Sequence, residues 1–141
     1  MKKAFLSSLI IVALFTSCNK NNNAKPVPVS TVAPVSASDL AGKWQPVSVT
    51  GLNGEPKAMS DISWHYIFNE NSTYVDYFSS QSQRNGAFQM GQAKSITDGQ
   101  IHPAISFDGA SSQSIVVIKN DTLTISDNFV GGSRFFFVRF N

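Results

Sequence analysis

Hydrophobic and polar residues alternate in short segments along most of the chain after about residue 39, with polar turns between the segments. Strict alternation places every second side chain on one face of a strand, whereas an amphipathic helix repeats at about 3.6 residues. Residues 62–68 show the pattern, since one face would carry Ile62, Trp64, Tyr66 and Phe68. No stretch of helical periodicity extends beyond about two turns. The pattern therefore predicts an all-β domain.

Eight segments have the composition and length of strands. Polar links such as residues 69–72 and 119–122 are short enough to be hairpin turns. A spacing of roughly 12 residues per strand and turn fits a meander that forms a sandwich or an up-and-down barrel. Closing the sheet into a barrel would also hide the strand edges, which otherwise promote aggregation. The predicted strands are residues 43–50, 62–68, 73–79, 86–94, 104–108, 115–118, 123–126 and 133–140.

The N-terminus has a different pattern. Met1, Lys2 and Lys3 precede an uncharged apolar run at residues 4–15. A helix of that length spans about 18 Å, which is shorter than a bilayer core of roughly 30 Å. A basic start, a short apolar run and a small-residue exit are typical of a signal peptide rather than a transmembrane helix. We interpret residues 1–17 as a signal peptide.

The signal peptide ends at a cysteine. Phe15, Thr16 and Ser17 precede Cys18, and this order resembles the bacterial lipobox, in which a large apolar residue and two small residues precede a cysteine. The resemblance implies that the Cys18 thiol receives diacylglycerol and that cleavage makes Cys18 the new N-terminus. Two or three acyl chains would make attachment effectively permanent, because each buried methylene contributes about 0.8 kcal/mol. The alternative is an ordinary secretory signal with an incidental cysteine.

Residues 18–38 are predicted to be a disordered tether that carries the lipidated Cys18. Asparagine, proline, serine and isolated valines cannot build a packed core. Some Gram-negative bacteria place an acidic cluster just after the cysteine as a surface-export signal, whereas Asn19, Lys20 and Asn21 stand here. The departure favours the periplasmic side and leaves the leaflet open. Together with the lipobox resemblance, we expect a protein lipid-anchored in the bacterial cell envelope, on the outer membrane and facing the periplasm.

Composition excludes several function classes. The formal charge of +2 comes from Lys2 and Lys3, so the part after the signal peptide is balanced and has no basic cluster for nucleic acid. The only cysteine is Cys18, which excludes an internal disulfide. Two histidines are a poor metal signal, and neither a nucleophile elbow nor a phosphate-binding glycine loop is present. We therefore expect a protein that is not an enzyme and that needs no cofactor or metal.

The order of four short motifs sharpens the fold prediction. A Gly-x-Trp at residues 42–44 is followed by an aromatic hairpin at 66–74, a second hairpin at 119–125 and a closing Phe-Phe-Val-Arg at 136–139. Over residues 39–141 this succession resembles the small lipocalin-like domains of bacterial lipoproteins. The resemblance implies an up-and-down barrel of about eight antiparallel strands. Longer lipocalins carry a helix after the barrel, and we expect this chain to lack that C-terminal helix.

The resemblance also implies that Trp44 and Arg139 pack together at one end of the barrel. An aromatic ring and a cation are the pairing that grips charged ligands, so a functional interpretation exists. We interpret the pair instead as structural, with Arg139 stacked on the indole and bonded to backbone carbonyls to close the barrel end.

Large side chains at alternating strand positions are the candidate ligand-binding residues. They either line a cavity for an apolar or flat ligand or fill the barrel as ordinary core, and an eight-stranded barrel allows both. Asp76 lies between Tyr74 and Phe78 on one strand face, where it would orient a ligand, face Arg139 or turn to solvent. The candidates are Trp64, Tyr66, Phe68, Tyr74, Asp76, Phe88, Met90, Phe135 and Phe137.

Two functional hypotheses follow. The first is a lipid-anchored, non-enzymatic envelope protein whose lipocalin-like barrel binds a small apolar ligand. The second is a solid barrel that acts through its loops on another envelope protein, as an inhibitor or assembly factor; residues 79–85 and 97–103 are the loops expected to do so. A cavity above about 300 Å³ would favour a ligand, and a filled interior with an exposed apolar loop patch would favour a partner.

Overall fold

The computed structural model describes residues 32–51, 54–59, 64–79 and 82–141. The predicted signal peptide, Cys18 and most of the predicted tether lie outside these residues. One short helix, α1 (Ala37–Leu40), precedes the strands. The strands are β1 (Gly42–Thr50), β2 (Pro56–Ala58), β3 (His65–Phe68), β4 (Thr73–Ser79), β5 (Ser82–Lys94), β6 (Ile101–Phe107), β7 (Ser114–Lys119), β8 (Thr122–Asp127) and β9 (Arg134–Phe140).

The strands form one closed antiparallel sheet. From β3 onward each strand pairs with the next in sequence, and β1 pairs with both β3 and β9. Seven residue pairs join β1 to β9, so the first and last barrel strands close the sheet along most of their length. The short β2 pairs only with β1 and stands outside the ring of eight. The predicted all-β, up-and-down barrel of about eight strands is confirmed, and no helix follows β9 among the described residues.

Alternation and turn chemistry account for the strands. In β8, Leu123 and Ile125 are buried while Thr124 between them is partly exposed, as a half-buried strand requires. The two-residue turn between β7 and β8 places Asn120 at a φ of 54°, a left-handed conformation that asparagine tolerates better than most residues. The predicted hairpin at residues 119–122 is therefore present.

The predicted boundaries of β5 and β6 need correction. β5 begins at Ser82 rather than residue 86, so most of the suspected loop at 79–85 is paired with β4. β6 begins at Ile101 rather than residue 104, so His102 and Pro103 lie in a strand and not in a loop. The extension of β5, residues 82–85, is polar throughout and shows no alternation, and Pro103 disfavours a strand in β6, which hid both extensions in the sequence.

The β5–β6 hairpin separates from the barrel wall. Seven residue pairs join β5 to β6, but β6 pairs with β7 only at Ala104–Ile115 and Ile105–Ser114. The turn of this hairpin lies beside the β8–β9 loop, because the Asn128 side chain accepts from Ile96 N at 3.0 Å and donates to Lys94 O at 3.0 Å. The hairpin turn therefore covers part of the outer face of β7–β9.

The core fills one end of the barrel and is covered by α1. Ser36 caps the helix with a reciprocal capping box to Asp39, and Leu40 is fully buried. Val35 and Ala37 also pack against the core, so contact with the barrel begins before residue 39, where the sequence places the domain start. The buried cluster is Leu40, Trp44, Phe68, Tyr74, Phe88, Ile105, Val116, Leu123, Ile125 and Phe137.

Candidate functional site

One end of the barrel is closed by Trp44, Arg139 and α1. The buried indole of Trp44 donates from Nε1 to Leu40 O at 2.7 Å. The Arg139 guanidinium lies over the indole, with Cζ 4.2 Å from the ring centroid, and donates to the carbonyls of Ala41 and Asp39. These contacts direct the indole N–H and both terminal nitrogens of the guanidinium to backbone carbonyls of the same chain. The geometry suits a structural role and leaves a binding site to be sought elsewhere.

A cavity of about 210 Å³ lies among the inward-facing rings away from this closed end. Four of the candidate residues line it, namely Trp64, Tyr66, Phe135 and Phe137. The other lining residues are Phe107, Ser114, Ile125 and Asp127. We call this space the mouth cavity. It is partly open to solvent and smaller than the roughly 300 Å³ at which pockets for drug-sized ligands begin.

The rings of the mouth cavity contact one another at fixed angles. Phe135 stands edge-on to Trp64, with centroids 5.6 Å apart and planes at 90°. Phe137 contacts both Trp64 at 6.2 Å and Tyr66 at 5.8 Å, again close to perpendicular. Edge-to-face contacts of this kind hold aromatic side chains in defined orientations. The cavity wall is therefore a rigid aromatic surface.

Asp76 holds Trp64 in position through a hydrogen bond to the indole N–H. Asp76 is only 5% exposed, and its carboxylate accepts from Trp64 Nε1 at 2.9 Å and from Arg84 at 3.1 Å. Burial together with the nearby Asp76 charge raises the pKa of Tyr66 well above its usual value. Asp76 thus faces Arg84 and not Arg139, and it is not turned to solvent. It acts on the cavity through Trp64 and does not line it.

The remaining candidates belong to the core. Phe68, Tyr74 and Phe88 are almost fully buried, and Met90 packs against the same cluster. Tyr74 donates its hydroxyl to Asp108 at 2.7 Å, and burial with this bond raises the pKa of Tyr74 to about 12. The same bond holds the pKa of Asp108 below its usual value. These residues support the barrel and do not contact the mouth cavity.

Four lining residues were not among the candidate site residues from the sequence: Phe107, Ser114, Ile125 and Asp127. A signal for Asp127 existed, because it follows Leu123 and Ile125 at alternating positions and so shares the inner face of β8. Its place at the strand end and its charge hid it. Ser114 precedes an apolar run and carries no signal of its own.

A second, outer cleft of about 300 Å³ lies between the β5–β6 turn and the outer face of β7–β9. His102 and Asp98 form a pair at 2.8 Å on one side, and Phe136 and Arg134 lie on the other. Asp98 has a pKa below its usual value because it accepts from the backbone of Gln100 and from His102. Nine of its twelve lining residues are polar or charged, and Phe136 is the one phenylalanine, tyrosine or tryptophan among them, so the outer cleft lacks the aromatic lining of the mouth cavity.

The two loops next to this cleft expose apolar side chains. Ile96 is 53% exposed, Phe129 58% and Val130 92%. The Asn128 side chain ties the two loops together, so the three side chains share one patch. We call these three residues the loop patch.

Among the described residues, no three His, Cys, Asp or Glu side chains are placed to hold a metal ion. In the same part of the chain, no helix has the length and apolar character needed to cross a bilayer. Comparison of the chain with protein-family models, with curated proteins and with solved structures found no match. The closed eight-stranded barrel and its mouth cavity are thus the features from which a function has to be argued.

Proposed function

We propose that this protein is a non-enzymatic, lipid-anchored component of the bacterial cell envelope, with a lipocalin-like barrel that binds a small ligand at its mouth. The observation that carries the proposal is the mouth cavity of about 210 Å³, which has five aromatic side chains in its lining. Binding pockets are mostly apolar and aromatic, with a few placed polar groups. Ser114 and Asp127 would be those polar groups here.

The size of the cavity limits the ligand. By the 300 Å³ criterion the volume alone does not favour a ligand, and the support comes from the lining. A cavity of this size suits a ligand smaller than a typical drug molecule. Small ligands gain at most about 1.5 kcal/mol per non-hydrogen atom and drug-sized ones only about 0.3. A dissociation constant in the micromolar to millimolar range is therefore expected.

The anchor part of the proposal rests on the sequence before residue 32. Lipid on Cys18 would hold the protein to the membrane, and residues 18–38 would separate the barrel from it. The described residues 32–35 lie beside Pro103 and residues 116–118, on the wall around the closed end. These residues, the described start of the chain, therefore meet the barrel near its closed end.

Native mass spectrometry of the full-length protein tests the ligand proposal. The protein is purified from its own host's membranes in a nonionic detergent, and its intact mass is compared before and after denaturation. We expect a reproducible extra mass that denaturation removes. A bare protein mass, with detergent adducts excluded by a detergent-only control, would contradict ligand binding.

Two neighbouring phenylalanines provide matched variants. Phe135 lines the mouth cavity, while Phe136 lies on the opposite face of the same strand and lines the outer cleft. Phe135→Leu should weaken or abolish the extra mass, and Phe136→Leu should retain it. Equal loss in both variants would show that the mass is bound outside the mouth cavity.

The loop patch favours a second candidate function, an interaction module. Val130 is almost fully exposed beside Phe129 and Ile96, and exposed apolar groups of this kind mark protein contacts. Under this alternative, chemical crosslinking in intact host cells yields a defined envelope partner. Val130→Asp should abolish that crosslink and leave any bound ligand mass unchanged.

A further inference from the structure

The mouth cavity combines aromatic faces with a single charged side chain. Of its eight lining residues, Trp64, Tyr66, Phe107, Phe135 and Phe137 are aromatic, and Asp127 alone carries a charge. The face of an aromatic ring is electron-rich and attracts cations, most strongly where water is excluded. Aromatic ring faces and the Asp127 carboxylate therefore both favour a cation in the mouth cavity.

Asp127 is held in place by Ser133, and the neighbouring Arg134 bonds to Ser126 instead of to this carboxylate. Its Oδ2 accepts from Ser133 N at 3.0 Å, and its own N–H donates to Ser133 O at 2.9 Å. In the described part of the chain, no lysine, arginine or histidine lies within ion-pair distance of Asp127. The neighbouring Asp76 differs, because Arg84 balances its charge. Asp127 therefore places a carboxylate that forms no ion pair in the described part of the chain at the edge of an aromatic surface.

From this arrangement we infer that the ligand of the mouth cavity is a small organic cation, of the class of quaternary ammonium compounds and alkylated amines. The inference rests on the proposed function and adds the ligand's chemical class. A trimethylammonium group is compact and weakly hydrated, so aromatic rings replace its water at low cost, and this is how aromatic cages recognise choline-like groups. Asp127 supplies the countercharge at the edge, and Trp64 is kept in position by Asp76.

An anionic ligand is disfavoured by the same features. It would be repelled by the Asp127 carboxylate, and none of the eight described lining residues is cationic, while Arg84 is bonded to Asp76. A neutral apolar ligand of the same shape would fill the space but would gain nothing from Asp127. The charge of the ligand is therefore the property to test.

The test compares choline with its neutral carbon isostere, dimethylbutanol, in which a quaternary carbon replaces the nitrogen. Binding of each to the full-length protein in nonionic detergent is measured by isothermal titration at constant ionic strength. We expect choline to bind at least tenfold more tightly than the isostere. Because the comparison uses the unaltered protein, it does not depend on the folding of any variant.

Two variants that each remove one carboxylate show which carboxylate is responsible for the preference for choline. Asp127→Asn keeps an acceptor for Ser133 N and removes the charge, so it should weaken choline binding at least tenfold and leave binding of the isostere unchanged. Asp98→Asn removes a carboxylate from the outer cleft and should change neither. Thermal unfolding of both variants confirms that the barrel is intact.

Each other outcome overturns the inference. Equal binding of choline and the isostere would show that shape alone governs the cavity; the cation inference would fall and the proposed function would stand. Absence of binding by both probes would also overturn the cation inference. In that case the native mass distinguishes the two proposals, because an extra mass preserves the ligand proposal and a bare mass ends both.

Discussion

Trp44 and Arg139 face each other as cross-strand partners on the first and last strands of the barrel. The guanidinium lies 4.2 Å from the centroid of the indole and bonds backbone carbonyls of Asp39 and Ala41, which lead from α1 into β1. One pair thus connects the closing seam of the sheet to the helix that covers its end. The contact explains how a chain without a disulfide fastens its two most distant strands.

Removal of Trp44 should destabilise the barrel strongly. Trp44→Ala deletes a fully buried ring and leaves the Leu40 carbonyl without its donor, so we expect a loss of about 3–5 kcal/mol in the free energy of unfolding. Urea denaturation followed by circular dichroism measures this loss. An unchanged midpoint would disprove the closing role of Trp44.

Arg134 and Arg139 both lie in β9, so comparing them separates the specific contacts of Arg139 from the general effect of removing an arginine charge. Arg139→Ala loses a cation–π contact, worth about 0.5–1 kcal/mol at an exposed site, and two charged hydrogen bonds, and we expect a total loss of about 1–2 kcal/mol. Arg134→Ala loses only a bond to Ser126 and should stay within about 0.5 kcal/mol. Equal effects in the same denaturation assay would mean that the Arg139 contacts contribute nothing specific.

Alanine should destabilise the barrel at one glycine of β5 and have little effect on stability at another. A β-carbon at Gly86 would overlap the Asp108 carboxylate and lie 2.7 Å from Cζ of Tyr74, so Gly86→Ala should lower stability by about 1–3 kcal/mol or more. At Gly91 the nearest atom, Nε2 of Gln113, is 3.5 Å away, which is an ordinary contact. Gly91→Ala is expected to change stability by no more than about 0.5 kcal/mol. Thermal unfolding of both variants checks the difference.

Stability should fall at alkaline pH partly through Tyr74. The folded state holds the Tyr74 proton more tightly than the unfolded chain, because burial and the Asp108 bond raise its pKa from 10.0 to about 12. The contribution is therefore complete below about pH 10 and is lost as the pH rises from about 10 to 12. Urea denaturation across this pH range should show a steep loss in the wild-type protein.

Tyr74→Phe should flatten this alkaline loss without abolishing it, because Tyr66 also has a raised pKa. Tyr77→Phe removes a hydroxyl elsewhere and keeps the Tyr74–Asp108 bond, so the loss tied to that bond should remain. The same pH dependence in Tyr74→Phe and wild type would rule out the assignment.

The loss of stability on replacing Asp76 should depend on whether the new side chain can still accept a hydrogen bond from Trp64. Asp76→Ala leaves Trp64 Nε1 without its acceptor and is expected to lower stability by about 1–3 kcal/mol. Asp76→Asn retains an acceptor and loses mainly the ion pair to Arg84, whose side chain is 56% exposed, so a loss of about 0–1 kcal/mol is expected. Arg84→Gln should resemble Asp76→Asn. If all three variants unfold at the same urea concentration, the Trp64 bond is not the important one.

Much of the fold was predictable because it depends on local patterns. β4 was predicted with its observed boundaries, and the β7–β8 hairpin followed from a short polar link between two apolar runs. The extensions of β5 and β6 were not predictable, since residues 82–85 are all polar and Pro103 weakens the strand signal in β6. Pairing with β4 draws residues 82–85 into β5, and pairing with β5 includes Pro103 in β6.

The candidate site was only partly predictable. Alternation correctly groups Tyr66 and Phe68 on one face of β3, with Trp64 just before the strand, but it does not say how deeply each side chain is buried. Phe68 is buried in the core, whereas Trp64, four residues earlier, lines the mouth cavity. Depth depends on how each strand is staggered against its neighbours around the closed sheet.

Residue spacing specifies which side chains share a face, because the backbone of a strand repeats every two residues wherever it occurs. The same local chemistry specifies the short turns, and the order of the strands follows from those turns. The pairing register between strands far apart in sequence decides which of their side chains come into contact. It sets Arg139 over Trp44 and places Asp127 beside Trp64 and Tyr66 in the mouth cavity. Those contacts arise only when β1 and β9 pair and the sheet closes.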